Sequence, residues 1–150
     1  MIREHDSVIV RTLVRVLVPP IQLFALYVVI HGHGSPGGGF QGGVILAATY
    51  ILIALAFGRA ELDRRVREGI VLVLSSAGVL IFALTAALGV VFGGALLDYE
   101  VLPVPGARGP AVRAVGIFII EIGVAIGVAG ALTVIFCRLA KAGEGDGEAP

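Results

Sequence analysis

His31-Gly-His-Gly-Ser-Pro-Gly-Gly-Gly-Phe-Gln-Gly-Gly43 separates two long apolar runs and carries seven of the 22 glycines in the chain. No Lys, Arg, Asp or Glu lies in it. Backbone so bare of side chains lets a helix, an ion or another segment approach closely. Pro36 stands just ahead of the second apolar run. Its fixed φ suits a first helical turn, where a missing N–H costs nothing. The stretch reads as an ordered loop that becomes the first turn of a membrane helix.

Working outward, four apolar runs approach or exceed the roughly 20 residues that a helix needs to cross a bilayer. They cover residues 16 to 30, 40 to 57, 70 to 92 and 112 to 137. The expected fold is all-α: an integral membrane domain of four transmembrane helices over residues 1–142, then an acidic, glycine-rich tail over 143–150. That tail lacks apolar anchors and is expected to be disordered. Composition agrees. Of 150 residues, 57% are hydrophobic and 15% charged, and mean hydropathy is +1.00. Soluble domains carry about 25% charged residues. Formal net charge is zero, so nothing favours nucleic acid as a partner. Cys137 is the single cysteine, which excludes an internal disulfide or thiolate cluster. The segment that leads from the polar first six residues into the first run carries Arg11 and Arg15 and lacks a small-residue cleavage site. It is therefore not expected to be a signal peptide.

Ser7, Arg11 and Arg15 recur at spacing four, so the chain before the first run is expected to lie as an amphipathic turn or two at the interface. Pro19-Pro20 is expected to kink or break the first helix; the other reading is that the prolines start it. Residues 58–69 and 93–111 form polar connectors, the first a solvated run of charge. With four spans, both termini and the 58–69 connector share a side. That side holds Arg3, Arg11, Arg15, Arg59, Arg64, Arg65, Arg67, Arg138 and Lys141, against Arg108 and Arg113 on the other. Both termini are therefore expected in the cytoplasm, with the glycine segment outside.

Gly32, Gly34 and Gly37 match a nucleotide-binding spacing, but that fingerprint requires a preceding strand, and a membrane helix precedes it here. His31 and His33 are too few for a closed metal site; they are expected to bond loop carbonyls or to touch a neighbouring subunit. No metal and no cofactor is expected. Gly37, Gly38, Gly39, Gly42 and Gly43 suit close helix packing. The helix start they form could also face an anion or a carboxylate. Phe40 and Gln41 share that level, Gln41 as a polar contact.

Glu121 is the one acidic residue well inside an expected span. Ionisable groups at that depth are expensive and mark ion paths. At 100° per residue, Gly116, Gly123, Gly127, Gly130 and Ala131 fall opposite it and form a packing face. Glu121 itself points among Ala114, Ile117, Phe118, Ala125 and Val128, a face that supplies no partner. Two readings stay open. Glu121 is a structural, neutral acid bonded to a carbonyl or to Gln22, or it serves cation or proton movement, with Gln22 a second candidate on the ion route. No Ser/His, Cys/His or multi-carboxylate set lies on the spans, so an enzyme is not expected.

Tyr27-Val-Val-Ile-His-Gly-His-Gly-Ser-Pro-Gly-Gly-Gly-Phe-Gln-Gly-Gly-Val-Ile-Leu-Ala-Ala closely resembles the core motif of the MnhB/MrpB family. Phe118-Ile-Ile-Glu-Ile-Gly-Val-Ala-Ile-Gly-Val resembles the last-helix motif of that family. The resemblance covers the whole chain in length, helix number and motif order. It implies a small four-helix subunit of a multisubunit Mrp-type cation/proton antiporter in the cell membrane. Na⁺/H⁺ exchange would be carried by the hetero-oligomer, with the main proton channels in larger partners. Pro36, Gly37, Gly38, Gly39, Phe40, Gly42 and Glu121 are the positions carried over. The alternative is a scaffold subunit of an antiporter-like module in a redox-driven complex, hydrogenase or sulfur-reducing, with no ion on this chain. Independently, four short spans with a single buried acid make a poor self-contained antiporter and a plausible part of a larger one.

Overall fold

The computed structural model describes residues 8–32, 37–106 and 109–145. Among the described residues five helices follow one another: α1 (Val8–Ile30), α2 (Gly39–Phe57), the short α3 (Arg59–Arg65), α4 (Glu68–Val91) and α5 (Pro110–Gly145). A 3₁₀ turn at Tyr99–Val101 interrupts the α4–α5 connector. α1, α2, α4 and α5 are each long and apolar enough to cross a membrane.

α1 corrects two expectations. It begins at Val8, ahead of both arginines, and it passes through Pro19 and Pro20 as one element. The prolines therefore do not start it. Its 23 residues span about 34 Å, against about 22 Å for the apolar run 16–30 alone. Pro19 and Pro20 leave the carbonyls of Arg15 and Val16 without their i+4 donors. The apolar residues on either side keep the segment helical because a span in lipid has no other way to satisfy its backbone.

The four spans stand in a row, α1–α2–α5–α4, with neighbours packed in that order. Small residues set the spacing, since close backbone approach drives helix association in lipid. Val14, Val18, Ala25 and Val29 are the buried stripe of α1. A Cβ on Gly42 of α2 would stand 2.9 Å from the Ala25 carbonyl oxygen. α2 is covered on both sides and buries Gly39, Gly42, Gly43, Ala47, Ile53 and Ala54. A Cβ on Gly43 would stand 2.7 Å from the Ala125 carbonyl oxygen of α5. On the far side of α5, a Cβ on Gly78 of α4 would be 2.5 Å from both Gly123 O and Gly127 N. The Ser75 hydroxyl donates to Gly127 O there at 2.9 Å. The broad faces of the row remain apolar and exposed, with Leu23, Val73, Leu80 and Leu139 more than half uncovered.

The 58–69 connector is more than a solvated run of charge. Gly58 takes φ +86 to close α2, a conformation that favours glycine. α3 follows, and its Leu62 is 1% exposed, packed with Ala54 of α2 and Cys137 of α5. Glu68 at the start of α4 then pairs with Arg138 and Lys141 of α5. α5 continues to Gly145, into the stretch expected as tail, while 146–150 lie outside the described residues. At the opposite end of the row, the α4–α5 connector folds back onto both helices. A Cβ on Gly116 would be 2.7 Å from Tyr99 Cβ, Leu102 is buried, and Glu100 pairs with Arg113 at 3.6 Å. Burial pushes the Tyr99 phenol above its ordinary pKa.

Candidate functional site: a carboxylate held by the glycine segment

The helical phase of α5 sends Gly123, Gly127 and Gly130 toward α4 and Glu121 toward α2. What Glu121 meets is the glycine segment. Cβ atoms added to Gly32 would stand 2.5 Å from Glu121 Oε1 and 2.7 Å from Oε2. One on Gly38 would stand 3.2 Å from Oε1. Gly39 lies against the Glu121 backbone itself, 2.9 Å from Cα at its added Cβ and closer still to the carbonyl oxygen. Two missing side chains, at Gly32 and Gly38, thus make the space that the carboxylate occupies, and a third, at Gly39, lets α2 close on the α5 backbone. Oε2 is buried. Glu121 is roughly 11 residues past Pro110, or about 16 Å into the row.

The same contact sets the carboxylate at the start of α2. The first helical bond of α2 runs from Gly42 N–H to the Gly38 carbonyl at 3.0 Å, so the amides ahead of Gly42 have no partner within the helix. Gly38 has no side chain with which to cap them. The positive end of the α2 dipole is therefore next to the one acid at this depth, a favourable pairing for negative charge. Of the two roles left open for this helix start, close packing and facing a carboxylate, the structure combines both.

Other expected site residues are placed elsewhere. Gln22 donates to the Thr49 hydroxyl at 3.3 Å, and Thr49 donates on to the Leu46 carbonyl at 2.7 Å. Thr49 is ten residues along α2 from Gly39, about 15 Å, so Gln22 and Glu121 are not a pair. His31 stacks on Tyr27, ring centroids 4.1 Å apart, with its Nδ1 3.1 Å from the Tyr27 carbonyl oxygen. His33 and Pro36 lie outside the described residues. Phe40 and Gln41 are exposed and line an outward groove of about 580 Å³ with Gly37, Tyr27 and Phe24. Gly127 is looser than expected, its nearest neighbours 3.7 Å from an added Cβ. Ala131 is exposed at the rim of an α4–α5 groove. Among the described residues, no three His, Cys, Asp or Glu side chains gather as a metal set would. Sequence reasoning missed the close approach of Gly78 to the α5 backbone and the Ser75 bond beside it. It also missed that Gly32 and Gly38 are the neighbours of Glu121.

Known proteins share the same segments. A family described as a domain related to the MnhB subunit of Na⁺/H⁺ antiporter matches residues 9–134. The chain belongs to the MnhB family. Its match takes in all of α1 but the first residue, the glycine segment, α2, α4 and most of α5. Among MnhB relatives, the antiporter subunits named mnhB2 of Staphylococcus aureus strains Newman, JH1 and Mu3 are each 32% identical over 143 residues. Those matches cover 91% of this chain and 96% of the relative. With four spanning helices, this MnhB chain is a multi-pass membrane protein.

Proposed function

We propose that this chain works in the plasma membrane as a membrane subunit of a multisubunit Na⁺/H⁺ antiporter, and that Glu121 borders the cation route where the chain meets a neighbouring subunit. Family membership and the mnhB2 relatives support the first part. The observation that carries the second is the carboxylate of Glu121, about 16 Å into the row, seated against Gly32, Gly38 and the start of α2. An acid at membrane depth is costly unless protein, water or an ion serves it. Here its surroundings are arranged for it by the absence of side chains at Gly32 and Gly38. The partners are the other membrane subunits, with Na⁺ and H⁺ as the ions moved. The chain itself catalyses no reaction in this reading. Both termini and α3 face the cytoplasm, and the Glu121 end faces outward.

The test is Na⁺-driven proton movement in everted vesicles carrying the whole complex, wild type beside Glu121→Gln, with native gels of the same membranes. The expected result is an intact complex with exchange reduced at least tenfold, about 1.4 kcal/mol of lost transition-state or ion stabilisation. Unchanged exchange in an intact complex would leave the chain as a scaffold with no ion on it.

A further inference from the structure

The row has a second polar feature, at its opposite end and independent of Glu121. Arg15 of α1 and Arg65 of α3 converge on one ring. The Arg15 guanidinium carbon is 5.8 Å from the Phe57 centroid and that of Arg65 is 6.0 Å away. Between them opens a cavity of about 170 Å³, with Gln22 and Tyr50 deeper in its wall and Val14, Val18 and Ile53 on its apolar side. Arg65 leans on Glu61 at 2.9 Å. Among the described residues no carboxylate pairs with Arg15.

The level of this cavity limits what can fill it. Phe57 is the last residue of α2, and α3 is a short charged helix between two spans. The two arginines therefore stand at the boundary between the hydrocarbon and the polar zone. α1 is the end of the row, so the cavity lies on the margin of the chain. Two like charges drawn to one ring, only one of them paired, leave net positive charge beside an apolar wall. Basic pockets between spans hold the phosphates of anionic lipids by that combination. Guanidinium groups suit a phosphate because their planar donors bond two oxygens at once.

We infer that Arg15 and Arg65 bind the phosphate of an anionic phospholipid, its acyl chains extending out of the cavity into the surrounding bilayer. The amide of Gln22 and the hydroxyl of Tyr50 supply the floor of the site. Arg64, exposed on the same short helix and outside the cavity lining, takes no part.

The experiment measures lipid retention by native mass spectrometry. The full chain, delipidated in detergent, is offered equal amounts of phosphatidylglycerol and phosphatidylcholine. Wild type should retain phosphatidylglycerol preferentially. Arg15→Gln and Arg65→Gln should each weaken that retention about fivefold, and the double variant about 25-fold, from the contribution of one surface cation per step. Arg64→Gln should match wild type. Arg15→Lys, which keeps the charge and disturbs the helix less, should keep most of the preference and serves if a glutamine variant fails to fold. Three results would overturn the site: equal retention of the two lipids by wild type, a preference that survives the double substitution, or an equal loss in Arg64→Gln. In a further arm, inorganic phosphate is added to wild type. Displacement of the lipid at equal concentration would assign the cavity to a free anion instead.

Discussion

Replacing Gly78 by alanine should part α4 from α5. The added Cβ would meet Gly123 O and Gly127 N at 2.5 Å, where an ordinary contact begins at 3.4 Å. The shortfall, 3.4 − 2.5, is about 0.9 Å, and both obstacles are backbone that cannot rotate aside. A shift of that size would stretch the Ser75–Gly127 bond from 2.9 Å to about 3.8 Å, beyond hydrogen-bond reach. Overpacking costs about 1–3 kcal/mol, and an interhelical hydrogen bond in a membrane protein is worth about 0.6. The sum is about 2–4 kcal/mol. Cys137 offers the assay, because it is the single cysteine and is buried with Ala54 and Leu62. Its labelling by a thiol-reactive fluorophore during a temperature ramp follows opening of the full chain in detergent. Gly78→Ala should lower the midpoint by roughly 5–15 °C. Gly127→Ala, with 3.7 Å of room, should move it little, and so should Gly69→Ala, which meets nothing within 4 Å. A Gly78→Ala midpoint within about 2 °C of wild type would refute this close packing of α4 on α5. So would an equal fall in Gly127→Ala.

Gly32→Ala should displace the Glu121 carboxylate and lower Na⁺-driven exchange in everted vesicles as Glu121→Gln does, the complex remaining assembled on native gels; wild-type exchange would count against the contact. Glu68→Gln removes the shared partner of Arg138 and Lys141 and should cost about 1 kcal/mol or less, measured as a melting shift that shrinks at 1 M salt. Tyr99 adds a pH dependence. Its folded pKa is raised above the ordinary 10.0 by burial, so its contribution is complete below pH 10 and is lost as pH climbs through the folded value. Tyr99→Phe should therefore melt with a smaller drop between pH 8 and pH 10.5 than wild type does.

Hydropathy made the four spans legible because lipid leaves a backbone few other choices. The ends were harder. Arg11 and Arg15 read as an interfacial turn, yet helix α1 begins ahead of both, since long cationic side chains can reach polar surroundings from within a span. The polar residues after Cys137 hid the continuation of α5, which Glu68 helps to hold. Leu62 was invisible among charges because one apolar residue makes no period. In α5, periodicity correctly separated a glycine face from Glu121. It could not say what Glu121 faces, because that pairing joins residues some ninety positions apart and leaves no local pattern. An isolated acid on one span and a run of side-chain-free backbone at the start of another were both visible; only geometry joins them. Gly78 went unremarked for the same reason, a lone glycine in an apolar helix being recognisable as a contact only once its neighbour is known.

The single row of helices has a consequence for the assembly that contains it. In a partition one helix thick, about 10–12 Å with side chains, even the buried Oε2 of Glu121 is close to both broad faces. Whatever protein or lipid lies on either broad face stands within about one helix diameter of Glu121. Two neighbours on opposite faces, never touching each other, would then sense the same carboxylate, and a change in its charge would reach both at once.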